Sequence, residues 1–248
     1  VFDPFKDFDT AGYLRNTARE KNPAIVKQIE HALFAANVQD AINYLNKKRA
    51  ISYNDFLMTH QILFSGFYPW AGQDRAAIAA DIAISKAGTM FAHPADAKRA
   101  VEEGLRIGSN KKAMRQSPGL VMGLFAYGHP FLDGNGRTML VVHMVLCNRA
   151  GFSINWGKTN KDDYLRTLSK EIATPDKGTL DAYLNDFIDN PLAPGLWGTA
   201  IESIKGLDGR NMADTIDGTF SDPSISQKYR EFDRQRRYEI SPHPGVIE

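Results

Sequence analysis

The chain has 248 residues with 30 basic and 29 acidic side chains, so its net charge of +1 supplies no field that would recruit nucleic acid or a charged membrane surface. With 43% hydrophobic and 24% charged residues it reads as an ordinary soluble globular protein, one large domain or one domain plus an appendage. No apolar run reaches the roughly 18–20 residues of a membrane span, and the single Cys147 excludes an internal disulfide framework and fits a reducing compartment.

The sequence opens on Val1 without a basic-then-apolar leader and ends at Ile247-Glu248, which reads as a piece of a longer or processed protein. Phe2, Phe5, Phe8 and Tyr13 make an aromatic lead-in with a short helix. Asn22-Pro23 is an N-cap followed by proline at the first helical position. Ile25, Ile29 and Leu33 then recur at helical spacing, with Ala41, Ile42 and Leu45 extending the helix to Lys47-Lys48-Arg49. Ser52 and Asp55 form a near capping box for the next helix, whose apolar face is Phe56, Leu57, Leu63 and Phe64. His60 within it reads as a structural histidine. Phe67-Tyr68-Pro69-Trp70-Ala71-Gly72-Gln73-Asp74-Arg75 then breaks the helix in an aromatic-anchored loop.

Residues 76 to 91 do not read as helix. Ile82 and Ile84 alternate with Ala83 and Ser85, Ala87-Gly88 offers a turn, and Thr89-Met90-Phe91 returns as a second strand. Pro94 starts a helix that ends at Asn110-Lys111-Lys112, and Pro118 opens another carrying Leu120, Val121, Leu124 and Phe125 to Gly128-His129. Met139 to Asn148 are almost wholly apolar, a buried central helix stopped by Gly151. Cys147 within it reads as a core thiol. Asn160 and Thr179 open two further helices, making about seven by Asn190. From Pro191 onward Pro194, Gly195, Gly198, Gly206, Gly209 and Gly218 interrupt the chain, and only residues 197–205 and 224–238 suggest helix. The run Lys228 to Tyr238 interleaves Glu231 and Asp233 with its cations, which favours a solvated helix or linker over an RNA-binding stripe.

Between two of these helices lies His129-Pro130-Phe131-Leu132-Asp133-Gly134-Asn135-Gly136-Arg137. It joins an imidazole suited to proton transfer near neutrality, a carboxylate, glycines that permit close backbone approach, and a guanidinium in the first turn of a helix. Successive N–H groups at a helix start make an anion cradle.

This stretch resembles the signature of the Fic (Fic/Doc) family, H-P-F-x-[D/E]-G-N-G-R, at every fixed position. Tyr68-Pro69-Trp70-Ala71-Gly72 with Arg75 resembles the Y-P-W-A-G-x-x-R element that the family carries upstream. The resemblance covers roughly residues 50–190. It implies a mainly α fold, a Fic-like helical bundle with a short β-hairpin flap over the active-site loop. It divides the chain into an N-terminal helical lead-in (1–50), a catalytic domain (51–190) and a C-terminal extension (191–248).

The resemblance also implies transfer of a phosphate-containing group, most often AMP from ATP, to a hydroxyl of a target protein. His129 would be the base, Gly134, Asn135, Gly136 and Arg137 would bind the nucleotide phosphates, and Asp133 would hold Mg²⁺ or Mn²⁺. Ile82, Ala83, Ile84, Ser85 and Lys86 would be the flap strand on which the target segment docks. The residue types support that chemistry independently: a Ser, Thr or Tyr hydroxyl must lose a proton as it attacks phosphorus, and Mg²⁺ favours one or two carboxylates plus phosphate oxygens.

One departure concerns the donor. Many members have a second arginine three residues after the first, which grips the γ-phosphate and anchors an inhibitory glutamate; this chain has Leu140. Positions 137 and 140 lie about 60° apart on a helix, so Leu140 still faces the nucleotide side. The inhibitory pattern [S/T]-x-x-x-E-[G/N] is not found: Thr167 to Glu171 has the spacing, but Ile172 follows. With both halves of that lock missing, restraint would fall to a separate inhibitory protein. The change also leaves room for UMP or phosphocholine transfer, for a non-catalytic nucleotide-binding or docking module, or for a binding role seated in the 191–248 tail. Location within the cytoplasm and delivery into another cell are equally open.

Overall fold

The computed structural model describes residues 2–193, 195–208, 214–236 and 240. The sequence readings at Pro194, Gly209, Arg237 and Tyr238 lie outside them. In chain order the helices and strands are α1 (Phe8–Ala11), α2 (Pro23–Asn46), α3 (Tyr53–Phe64), α4 (Arg75–Ile78), β1 (Ile82–Lys86), β2 (Thr89–Met90), α5 (Pro94–Ser109), α6 (Lys111–Gln116), α7 (Pro118–Gly128), α8 (Asn135–Arg149), β3 (Ser153–Ile154), α9 (Lys161–Ala173), α10 (Thr179–Asn185), β4 (Ile188–Asp189), α11 (Trp197–Glu202), β5 (Thr215–Thr219) and α12 (Pro223–Arg236). The mainly α expectation holds. The elements beyond the expected seven helices by Asn190 are short: α1 and α4 are single turns, and α6 restarts at Asn110, whose side chain accepts from the Ala113 N–H.

The caps lie where the sequence placed them. Asn22 accepts from Ala24 N–H at the start of α2, and Ser52 with Asp55 completes a capping box on α3. Helix α8 runs through the centre: Met139 to Cys147 are all buried, and Gly151 (φ +85°) follows its end. Burial pushes the Cys147 thiol well up, as expected of a core cysteine.

The inner face of α2 differs from the periodicity reading. Ile25 is 41% exposed, while the buried stripe is Val26, Lys27, Glu30, Phe34, Val38, Ala41, Ile42 and Leu45. The buried stripe is offset by about one residue, and Lys27 and Glu30, which meet Asp133 and Arg137 beneath the helix, occupy positions that periodicity reserves for apolar side chains.

The hairpin expected over 82–91 is present. Ser85 pairs with Met90 and Lys86 with Thr89, around an Ala87-Gly88 turn in which both residues have positive φ. Residues 75–78, read as non-helical, make one helical turn capped by Asp74, whose side chain accepts from the Ala77 N–H. The hairpin also gains a third strand. β5, from the C-terminal extension, pairs antiparallel with β1, giving the order β2-β1-β5. The extension is thereby tied to the helical body: Arg236 donates to Ile172 O at 2.7 Å and lies 3.2 Å over the Tyr127 ring, and the Tyr127 hydroxyl bonds Asp233.

Candidate functional site

The site grows from the break between α7 and α8. Helix α7 ends at His129, which takes a left-handed conformation (φ +41°, ψ +56°), and Gly134 (φ +75°) opens α8. Asn135 holds the turn between them closed. Its side-chain oxygen accepts from the Phe131 N–H at 2.9 Å, and its amide donates to Phe131 O at 2.7 Å. Both ends of that side chain are thus engaged within the loop, which leaves its second amide N–H and its backbone to meet a ligand. Phe131 is fully buried, stacked 3.8 Å from the His60 ring and 6.0 Å from Phe56.

His60 joins the aromatic element to the loop. Its Nδ1 accepts from the Gly72 N–H at 2.9 Å, which leaves Nε2 to donate to Asp133 O at 3.0 Å. Burial pushes its pKa down to about 3, so it stays neutral and structural. Gly134 sits against this ring, where an added Cβ would meet Phe64 Cε2 at 2.6 Å and His60 Nε2 at 3.0 Å. We therefore expect Gly134→Ala to combine a left-handed backbone penalty of about 1–2 kcal/mol with overpacking of about 1–3 kcal/mol. A thermal melt checks this; an unchanged Tm would contradict it.

Arg75 supports the loop from the other side. Fully buried, it donates from Nε to His129 O at 2.7 Å and from Nη2 to Ala92 O at 2.9 Å, while its N–H donates to Pro130 O at 2.7 Å. The His129 ring lies flat on Phe91, with centroids 3.7 Å apart and planes 6° apart. Burial lowers the proton affinity of His129, opposed by Asp214 and assisted by Arg75 and Lys86. The imidazole is thus neutral near pH 7, the form a base requires.

His129, Asp133, Gly134, Asn135, Gly136 and Arg137 all line one cavity of about 440 Å³, with Lys27, Lys86 and Asp214. The structure brings together every loop residue singled out from sequence. The proposed flap residues Ile82 to Lys86 are β1 itself, of which Lys86 reaches the cavity. Leu140 lines a neighbouring pocket of about 140 Å³ with Trp156, Tyr164 and Leu165, and Gly136 and Met139 line both spaces.

Three residues of the site were missed from sequence. Lys27 bonds the Asp133 carboxylate and lies 3.3 Å from Glu30 Oε2. Glu30 Oε1 is 2.8 Å from Arg137 Nη1. Burial works to raise the Glu30 carboxyl and does so on balance, with Asp133 adding to it against Lys27 and Arg137. Burial also works to raise Asp133, but the Lys27 and Lys86 charges outweigh it and hold that carboxyl low. Arg137, 5% exposed, keeps Nε and Nη2 buried without a hydrogen-bond partner among the described residues. A guanidinium held by one carboxylate with two donors unmet suits an anion. The third is Asp214, whose Oδ2 lies 2.7 Å from His129 Nε2 and whose Oδ1 lies 3.0 Å from Lys86 Nζ. Lys27 and Glu30 are spaced i, i+3, the spacing of a charged pair on one helix face; nothing in the sequence around Asp214 connects it to residue 129. Glu171, the nearest match to the inhibitory pattern, accepts from Leu180 N–H at 2.9 Å and is part of the core.

The chain is similar to known proteins. Residues 50–147 match the profile of the Fic/DOC family. Protein adenylyltransferase VbhT of Bartonella schoenbuchensis is 27% identical over 172 residues, 66% of this chain but only 34% of VbhT, so the chain spans about a third of that relative. The probable protein adenylyltransferase y4lH of Sinorhizobium fredii is 24% identical over 173 residues, 64% of this chain and 85% of y4lH. Among solved structures, the BepC effector of Bartonella tribocorum with bound AMPPNP superposes with a TM-score of 0.58 at 15% identity, covering 73% of this chain and 95% of BepC. The N-terminal Fic domain of an effector from Bartonella sp. AR 15-3 gives 0.59 at 18% identity, covering 73% and 89%.

Proposed function

The chain belongs to the Fic/DOC family through residues 50–147, and on that premise we propose that it transfers a phosphate-containing part of a nucleotide, AMP from ATP foremost, to a Ser, Thr or Tyr hydroxyl of a target protein. The observation that carries this reading is one cavity lined both by the neutral imidazole of His129 and by Arg137 with two unmet donors. The names of VbhT and y4lH and the nucleotide analogue bound to BepC support ATP as the donor.

In this mechanism the target lies extended along Ile82 to Lys86 by strand addition. Its hydroxyl oxygen attacks the α-phosphorus and its proton passes to His129 Nε2. The backbone N–H groups at the start of α8 and the free donors of Arg137 stabilise charge on the phosphates. The bond to pyrophosphate breaks and pyrophosphate leaves. Asp133 faces the cavity as the loop's one carboxylate and suits Mg²⁺ or Mn²⁺ arriving with the nucleotide, once Lys27 turns toward Glu30. When bound, that ion neutralises phosphate charge. No helix among the described residues is long and apolar enough to cross a membrane.

Leu140 leaves no second guanidinium to grip a γ-phosphate, so the donor panel includes UTP and CDP-choline beside ATP. We expect transfer from radiolabelled ATP to candidate target proteins, lowered by about 10²–10⁴-fold in His129→Ala. Absence of His129-dependent labelling from any donor would remove the transferase reading.

A further inference from the structure

The sheet edge on which a target would dock is already filled from within the chain. Strand β5 runs antiparallel to β1 with Ile82 opposite Thr219, Ala83 opposite Gly218, Ile84 opposite Ile216 and Ser85 opposite Thr215, leaving Asp217 as the extra residue of a bulge. Beyond the strand, the Phe220 N–H donates to Asp81 O at 2.8 Å and the Ser221 N–H to Asp81 Oδ1 at 2.9 Å. At the bulge Ser85 Oγ donates to Asp217 Oδ1 at 2.7 Å, and the Tyr229 hydroxyl lies 3.0 Å from both Asp217 Oδ2 and Ile84 O. Side chains from β1 and α12 therefore fix the register. That register carries the next residue, Asp214, into the cavity against His129 Nε2.

We infer that Asp214–Thr219 is a built-in stand-in for the target segment, with the Asp214 carboxylate seated where the acceptor hydroxyl would be. The inference rests on the transferase reading of the site. A carboxylate fits the position but not the reaction. Burial works to raise the Asp214 carboxyl, yet His129 and Lys86 outweigh it and hold it well below the usual range. It is therefore an anion that only accepts. Its contact with His129 draws the ring proton to Nε2, the nitrogen that must be free to take a proton from a hydroxyl. The segment thus closes the site in two ways, filling the strand edge and setting the ring in the tautomer that cannot act as the base there. A target arriving from solution must displace a tethered strand whose effective concentration is on the order of millimolar. The same arrangement states what a target needs: an extended segment with a hydroxyl residue immediately before the stretch that pairs with Ser85, Ile84 and Ala83.

Two variants of the full chain test this. In Asp214→Ser the introduced hydroxyl is expected to attack the α-phosphorus of the donor, lose its proton to His129 and release pyrophosphate. The chain should label itself at position 214, at a rate independent of protein concentration, as read by mass spectrometry. Ile216→Pro, at an exposed strand position, removes an N–H and should release β5 from β1. Amide exchange at residues 82–86 should rise, and a fluorescent peptide of residues 214–221 should bind this variant at least tenfold tighter than the parent chain, whose edge is occupied.

Equal peptide binding by the two proteins would overturn the inference. So would labelling of outside proteins by Asp214→Ser with none at position 214, an outcome that leaves the transferase reading standing. If no protein is labelled from any donor but the peptide and exchange results appear, the built-in strand stands and the transferase reading falls.

Discussion

Replacing His129 by alanine is expected to lower transfer by about 10²–10⁴-fold, the range that positioned proton removal contributes. The residue sits at the end of α7 in a left-handed conformation, stacked on Phe91 and held by Arg75 through its own carbonyl. Alanine keeps that carbonyl and its donor, so the loop and the Arg137 anion site stay in place. Nucleotide binding should therefore change little while turnover collapses, and titration calorimetry beside a labelling assay separates the two. Parallel loss of binding would mean that His129 builds the site rather than acting in it.

The pH dependence has a definite sign. Burial, with Asp214 opposing it and Arg75 and Lys86 assisting, lowers the proton affinity of His129 in the folded chain. Below the unfolded value of about 6.5 the unfolded chain binds this proton more readily than the folded one, so stability falls as pH drops through that range. The neutral base persists to lower pH than a free imidazole, and the acid limb of the rate profile should lie below 6.5. His60 and His143, pushed down by burial to about 3 and about 4, destabilise in acid with the same sign. Only the difference between parent and His129→Ala melts at pH 7.5 and pH 5.5 isolates His129. We expect the parent to lose more.

The parts legible from sequence were those encoded by neighbours along the chain. Caps at Asn22 and Ser52, the Ala87-Gly88 turn and the apolar run of α8 depend on a few adjacent residues, and each fell where expected. The loop was legible for the same reason, since its imidazole, carboxylate, glycines and guanidinium lie within one short stretch, His129 to Arg137. Lys27 and Glu30 were not, because burying a charge is unfavourable unless a partner meets it. Those partners, Asp133 and Arg137, are about a hundred positions away. Asp214 was hidden more deeply. β5 mixes two threonines and an isoleucine, which favour strands, with an aspartate and a glycine, which do not, and nothing in those five residues identifies β1 as the edge they pair with.

Arg75 shows how a residue outside the chemistry can dominate the site, and Arg75→Met is expected to destabilise the fold by about 3 kcal/mol or more. The guanidinium is fully buried, and burial lowers its pKa to about 10, so it remains charged at neutral pH. It donates to His129 O and Ala92 O, with Gly128 O 3.5 Å from Nη2. Methionine nearly fills the volume but donates nothing, and each buried carbonyl left unmatched costs about 1–3 kcal/mol. The backbone bond from residue 75 to Pro130 O survives the change, so the loss belongs to the side chain. Two of the three carbonyls are those of residues 128 and 129, whose carbonyl directions set the left-handed turn that aims the imidazole. Transfer should therefore fall even at temperatures where the variant stays folded. Arg75→Lys should recover only part of the stability, since an ammonium cannot reproduce the planar fork that reaches α5's entry and the end of α7 together. Denaturant unfolding and labelling of the three proteins test this directly. A methionine variant as stable as the parent would mean that other groups can satisfy those carbonyls.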